Sequence, residues 1–169
     1  MKSFITTTLI LSSFIITNIT AQISTVRSSE LQRITSDASY EFCNLKMYKD
    51  EAAWRGKTVA FSGIIQKTPV IAKVKGEYLQ ITGQTANGVV NVVIYLDTPI
   101  PTVDNYGNPV PTITPGMDVR VFIQLKNCAN FTSETGYLLN LPTGDGLFIF
   151  SKDDYSMTNP IWASKMLMR

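Results

Sequence analysis

Residues Lys57 to Lys67 read Lys-Thr-Val-Ala-Phe-Ser-Gly-Ile-Ile-Gln-Lys, which in an extended chain puts Val59, Phe61 and Ile65 on one face and Thr58, Ser62 and Gln66 on the other. That two-residue period belongs to a strand buried on one side. Gly63 interrupts it, and a lone glycine inside a strand marks a bulge or a sharp coil where a sheet bends to close on itself. The run therefore predicts a small barrel in place of a flat sheet. The same period returns further along. From Glu77 to Thr82, Leu79 and Ile81 point one way and Tyr78 and Gln80 the other. From Val89 to Asp97, Val90, Val92, Ile94 and Leu96 point inward and Asn91, Val93 and Tyr95 outward, after an Asn87-Gly88 turn signal. From Asp118 to Asn127, Val119, Val121, Ile123 and Leu125 alternate with outward Arg120, Phe122, Gln124 and Lys126.

The segments between these strands read as follows. Cys128 to Gly136 is expected to be a loop, and its Asn130-Phe131-Thr132 is a glycan acceptor only in a eukaryotic secretory pathway. A last strand, Tyr137 to Leu141 and then Leu147 to Phe150, is expected to be broken by a turn at Pro142-Thr-Gly-Asp-Gly146. Thr98 to Gly116 carries Pro99, Pro101, Pro109, Pro111 and Pro115, which excludes a regular helix. This proline-rich insertion is either a protruding finger or a decorated connection, and the second is preferred. Upstream, Phe42, Leu45, Tyr48, Ala52 and Trp54 recur at helical spacing, which predicts a short or partly irregular amphipathic helix ending at Gly56, with Trp54 as a core plug. Residues 22–39 are polar and read as a flexible N-terminal arm or a frayed helix. The tail from Ser151, with Trp162 and Met166 to Arg169, suits a short helix docking back.

Met1 to Ala21 has the form of an export signal, with Lys2 at its start and an apolar run from Phe4 to Ile16. It predicts a secreted or periplasmic protein whose mature chain has no membrane span. Without Lys2 the formal charge falls from +2 to +1, too neutral for a protein whose main partner is nucleic acid. Histidine is absent, which removes histidine-based acid/base chemistry, the usual nucleophilic triads and most zinc sites. Cys43 and Cys128 are the only cysteines, and oxidising surroundings predict a disulfide between them. The alternative is two buried free thiols.

Two stretches carry a resemblance. Trp54-Arg-Gly-Lys-Thr-Val-Ala-Phe-Ser-Gly63 and Thr114-Pro-Gly-Met-Asp-Val-Arg-Val121 resemble the first-strand opening and the approach to the fourth strand in small exported bacterial OB-fold proteins, a group related to anticodon-type nucleic-acid-binding domains. The resemblance covers Tyr40 to Phe150. It implies a mainly β fold: a five-stranded Greek-key OB-like barrel within residues 40–169, with an N-terminal helix and a proline-rich β3–β4 insertion where the group commonly places a helix.

In such barrels ligands meet the outer face of the second and third strands. Here that face would carry Tyr78, Gln80, Asn91 and Tyr95, flanked by Lys73 and Lys75 on the first loop and by Asn130 and Phe131 on a later one. No catalytic residue, metal site or cofactor is expected: the spacing of Glu77, Asp97, Asp104, Asp118, Asp145, Asp153 and Asp154 requires no pair facing across a cleft, and Asp153-Asp154 lacks the alternating oxygens of a calcium loop. The expectation is a non-catalytic module docking to another envelope or host-surface protein. The alternative is an oligosaccharide- or single-stranded nucleic-acid-binding module using the outer face, and self-assembly into an oligomer stays open.

Overall fold

The computed structural model describes residues 28–66, 77–101, 107–109, 113–133 and 135–167. Five strands form a closed barrel: β1 (Thr58–Ile65), β2 (Glu77–Thr85), β3 (Gly88–Leu96), β4 (Asp118–Thr132) and β5 (Leu138–Ser151). They run in the order β3-β2-β1-β4-β5, antiparallel throughout, and β5 then pairs in parallel with β3 through Val93, Ile94 and Tyr95 to close the ring. This architecture is compatible with an OB-like barrel. A two-residue strand, β6 (Trp162–Ala163), adds to β5, and Lys165–Leu167 forms a 3₁₀ turn after it.

The alternation read from the sequence sorts the barrel correctly. Val59, Phe61, Ile65, Ile81, Val90, Val92, Ile94, Val119, Val121, Ile123 and Leu125 share one core. Gly63 is a point of close approach, not a bulge: β1 pairs with β4 without a break from Thr58 to Ile64. A Cβ on Gly63 would lie 2.7 Å from the Thr82 carbonyl oxygen, and one on Gly83 would meet the Ser62 carbonyl. Two glycines therefore let β1 and β2 cross backbone to backbone, which is how so small a sheet coils shut.

Three helical pieces precede β1. Residues Ser28–Asp37, within the stretch read as an arm or a frayed helix, form α1. The expected amphipathic helix is two short ones, α2 (Asn44–Lys49) and α3 (Glu51–Trp54). Asp50 divides them, its carboxylate accepting from the Ala53 N–H at 3.0 Å as the cap of α3. Gly56, at φ +80°, ends the helical run in the left-handed region. Met47 and Phe42 plug one end of the barrel, and Trp54 packs half-buried against Phe42 with Lys57 Nζ 4.7 Å from its ring.

A second core lies outside the barrel, where Ile34 on α1, Ala38 just after it and Ala163 on β6 cover Ala60, Phe122, Phe148 and Phe150. Phe122 points outward, as its place in the alternation requires, yet it is fully buried. Trp162 reaches back into the main core and donates from Nε1 to the Thr98 carbonyl at 3.1 Å.

Three expectations are corrected. Cys128 to Gly136 is not a loop for most of its length, because β4 continues to Thr132. Pro142 to Gly146 is not a turn: β5 runs through it, and its glycines serve close packing, since a Cβ on Gly144 would lie 2.9 Å from the Gln124 carbonyl oxygen and one on Gly146 2.9 Å from the Trp162 ring. The Cys43–Cys128 disulfide is absent, and both thiols are free. Cys43 is buried in the main core, while burial, and then the Glu51 carboxylate, push the Cys128 thiol up to about 11. A thiol so shifted holds its proton near neutral pH and supplies little of the thiolate that disulfide formation needs. The start of the chain lies outside the described residues, as do residues 102–106 and 110–112 of the proline-rich insertion. No helix among the described residues is long and apolar enough to cross a membrane.

Candidate binding surface

The outer face of β2 and β3 was the expected ligand platform, and its residues do converge. Tyr78 and Tyr95 stand directly opposite each other in the β2–β3 register. Diagonally across the same two strands, Gln80 Nε2 donates to Asn91 Oδ1 at 2.9 Å. The face is not open, however. Beyond the barrel, β4 and β5 continue as a long hairpin that pairs Cys128 with Pro142, Ala129 with Leu141 and Phe131 with Leu139. Val93, Phe131 and Leu141 form a satellite core there, with Tyr78, Tyr95, Ala129 and Leu139 packed against it. Phe131 retains 3% of its surface and Gln80 7%. Of the named candidates, Phe131 is thus a plug and the two tyrosines are its half-buried surround. Lys73 and Lys75 lie outside the described residues.

The cation beside the aromatics comes from an unexpected place. Lys126 Nζ lies 5.8 Å from the Tyr95 ring and 3.0 Å from Asp145, whose backbone is paired with Tyr95. Sequence reading placed Lys126 outward but had no means of bringing β4 next to Tyr95. A signal for the covering hairpin was present: Ala129, Phe131, Leu139 and Leu141 keep a two-residue apolar period on either side of the connection.

The reach of the hairpin is fixed by two irregularities in β4–β5 pairing, between Phe122 and Ile123 and between Leu125 and Cys128. The second lies where β4 leaves the barrel wall, and it bends the strand outward over β3. Thr143, almost fully buried, holds it by donating to the Asn127 carbonyl at 2.8 Å. Glu51 braces it from the helical side, accepting from the Cys128 N–H at 3.0 Å. That bond, then the side-chain bond from Arg55, holds the Glu51 carboxyl below its usual range.

Beside the hairpin, α2 bridges the strands that the parallel seam leaves apart. Asn44 binds the exposed edge of β3 with both halves of its amide, donating to the Asn91 carbonyl and accepting from the Asn91 N–H, each at 2.9 Å. One turn on, Tyr48 donates from its hydroxyl to the Asn140 carbonyl on β5 at 2.7 Å. Burial pushes the Tyr48 hydroxyl above the ordinary phenol range. Large apolar side chains on these elements remain exposed: Leu45 and Tyr48 on α2, Val89 on β3, and Tyr137 and Leu138 at the hairpin.

Four of the carboxylates weighed as catalysts, Asp97, Asp118, Asp145 and Asp154, hold structure instead. Asp97 accepts from Ser164 Oγ at 2.7 Å, tying down the tail. Asp118 pairs with Lys152 at 3.5 Å, and Asp145 with Lys126. Asp154 organises a turn, and its bond from Ser156 is the main cause that holds its carboxyl below the usual range. Asp104 lies outside the described residues. Among the described residues no three of the His, Cys, Asp and Glu side chains group as metal ligands would. No protein-family model matches this chain, and no curated protein matches it in sequence.

Proposed function

We propose that this protein is an exported, non-catalytic binding module of the OB type that docks onto another protein of the cell envelope or a host surface. The contact area in this reading is the end of the barrel where α2 meets the β4–β5 hairpin. One observation carries it: large apolar side chains stand in water on these two elements, with Leu45 on α2 58% and Leu138 on the hairpin 70% exposed. Covering such a side chain with a partner contributes roughly 2 kcal/mol, and the elements presenting it are pinned to the barrel by Asn44 and Tyr48. The near-neutral charge of the chain favours a protein over a polyanion.

The test is capture of the partner from the source extract by the purified chain and by Leu45→Asp with Leu138→Asp. Both positions are exposed, so the double variant is expected to melt within a few degrees of the parent while the captured species disappears. Tyr78→Ala with Tyr95→Ala is expected to leave capture intact once matched for folded protein. If capture instead survives the first pair and fails with the second, the contact is the β2–β3 face and an oligosaccharide or single-stranded nucleic acid becomes the better reading.

A further inference from the structure

Where β1 and β2 part, beyond their pairing at Ile64 and Ile65, a cleft of about 340 Å³ opens beside the β2–β3 turn. Tyr40, Ser62, Gln84, Thr85, Ala86 and Arg120 are among its lining residues, and among the described residues no acid lines it. The volume suits one ring-sized ligand. Arg120 stands directly opposite Ser62 in the β1–β4 register, and both side chains point outward from the barrel. Arg120 as a whole is half-buried, and its guanidinium makes no hydrogen bond or ion pair among the described residues.

That is unusual within this molecule. The other two described arginines are paired, Arg33 with Glu30 and Arg55 with Glu51. Asp118, two residues along β4, is held by Lys152. A half-buried arginine with no protein partner keeps its planar set of donors free, and an incoming carboxylate can engage them. The Ser62 hydroxyl is likewise unbonded among the described residues, and Gln84 uses its amide nitrogen only on the neighbouring Thr85 carbonyl at 3.4 Å. Tyr40, 53% exposed, is steadied by an edge-on contact with Phe122 at 6.5 Å and keeps a ring face available.

We propose that this cleft binds a small hydroxylated carboxylate, the acidic residue of a sugar chain. The planar fork of Arg120 takes the carboxylate through two parallel N–H bonds. Ser62 and Gln84 take the neighbouring hydroxyls, and the ring seats its C–H face against Tyr40 and Ala86. The site uses none of the residues of the docking surface, so either can fail without the other.

The experiment is a calorimetric titration of the full chain with sodium glucuronate, with D-glucose and a short acetylated peptide ending in a free carboxylate as comparators. Saturable glucuronate binding is expected, with glucose at least about tenfold weaker because it lacks the charge-assisted pair. Arg120→Gln is expected to lose about tenfold or more, and Arg120→Lys to fall between, since an ammonium keeps the charge but lacks the fork. Gln84→Ala, at an exposed position, is expected to weaken glucuronate several-fold without changing the melting temperature, a check that does not depend on how Arg120→Gln folds. Equal binding of glucuronate and glucose, undiminished binding by Arg120→Gln or Gln84→Ala, or binding of the peptide alone would each overturn the assignment.

Discussion

Phe131 shows how a single side chain changes meaning with its surroundings. Read as a ligand contact on a loop, it is instead the central piece of a small core between β3 and the hairpin. Phe131→Ala is expected to cost about 3 kcal/mol, at the low end for a buried phenylalanine because the cluster is shallow, measured as a shift in the urea midpoint. Cys128 offers a second test at this scale. The unfolded chain releases this proton near pH 8.5 while the folded chain holds it to about 11. Stability should therefore fall as pH rises through that window, because the unfolded state gains from an ionisation the folded state resists. The contribution is modest because the thiol is only part-buried and solvent screens it. It is read as the difference in chemical denaturation between the parent and Cys128→Ser, and a parallel pair of curves would contradict it.

At the scale of elements, α2 is six residues long and too short to persist alone. It exists because Asn44 and Tyr48 fasten it to β3 and β5 and because Met47 is buried beneath it. Asn44→Ala is expected to cost about 2 kcal/mol, since it leaves both backbone groups of Asn91 without their partner. Asp50→Ala removes only the cap of α3 and should cost about 1 kcal/mol. Equilibrium denaturation that ranked these two in the opposite order would show that α2 is held by its apolar underside alone.

At the scale of the whole molecule, closure depends on places where backbones nearly touch. Gly83→Ala would drive a methyl group into the Ser62 carbonyl, where β1 and β2 cross and neither backbone can yield without opening the barrel. It is expected to cost about 3 kcal/mol or more. Gly56→Ala meets nothing within 4 Å and bears only the strain of φ +80°, so about 1 kcal/mol is expected. Thermal melts of the two variants side by side separate crowding from backbone conformation.

The sequence by itself determined which residues face the barrel interior. Alternation in β1 to β4 is a local property of the pleat, and burial of one face makes it hard to violate, so Val59 to Leu125 could be sorted without coordinates. The glycines were legible as special but not as to why: Gly63 marks a crossing, and Gly144 and Gly146 mark close packing inside a strand that looked like a turn. What lies over the outer faces was decided only by the tertiary structure. Phe122 and Val93 both point away from the barrel and are both buried, one under α1 and the other beneath the β4–β5 hairpin. Outwardness is set by one strand and its period, whereas exposure is set by whichever distant segment folds across it, and the two-residue period holds no information about that segment.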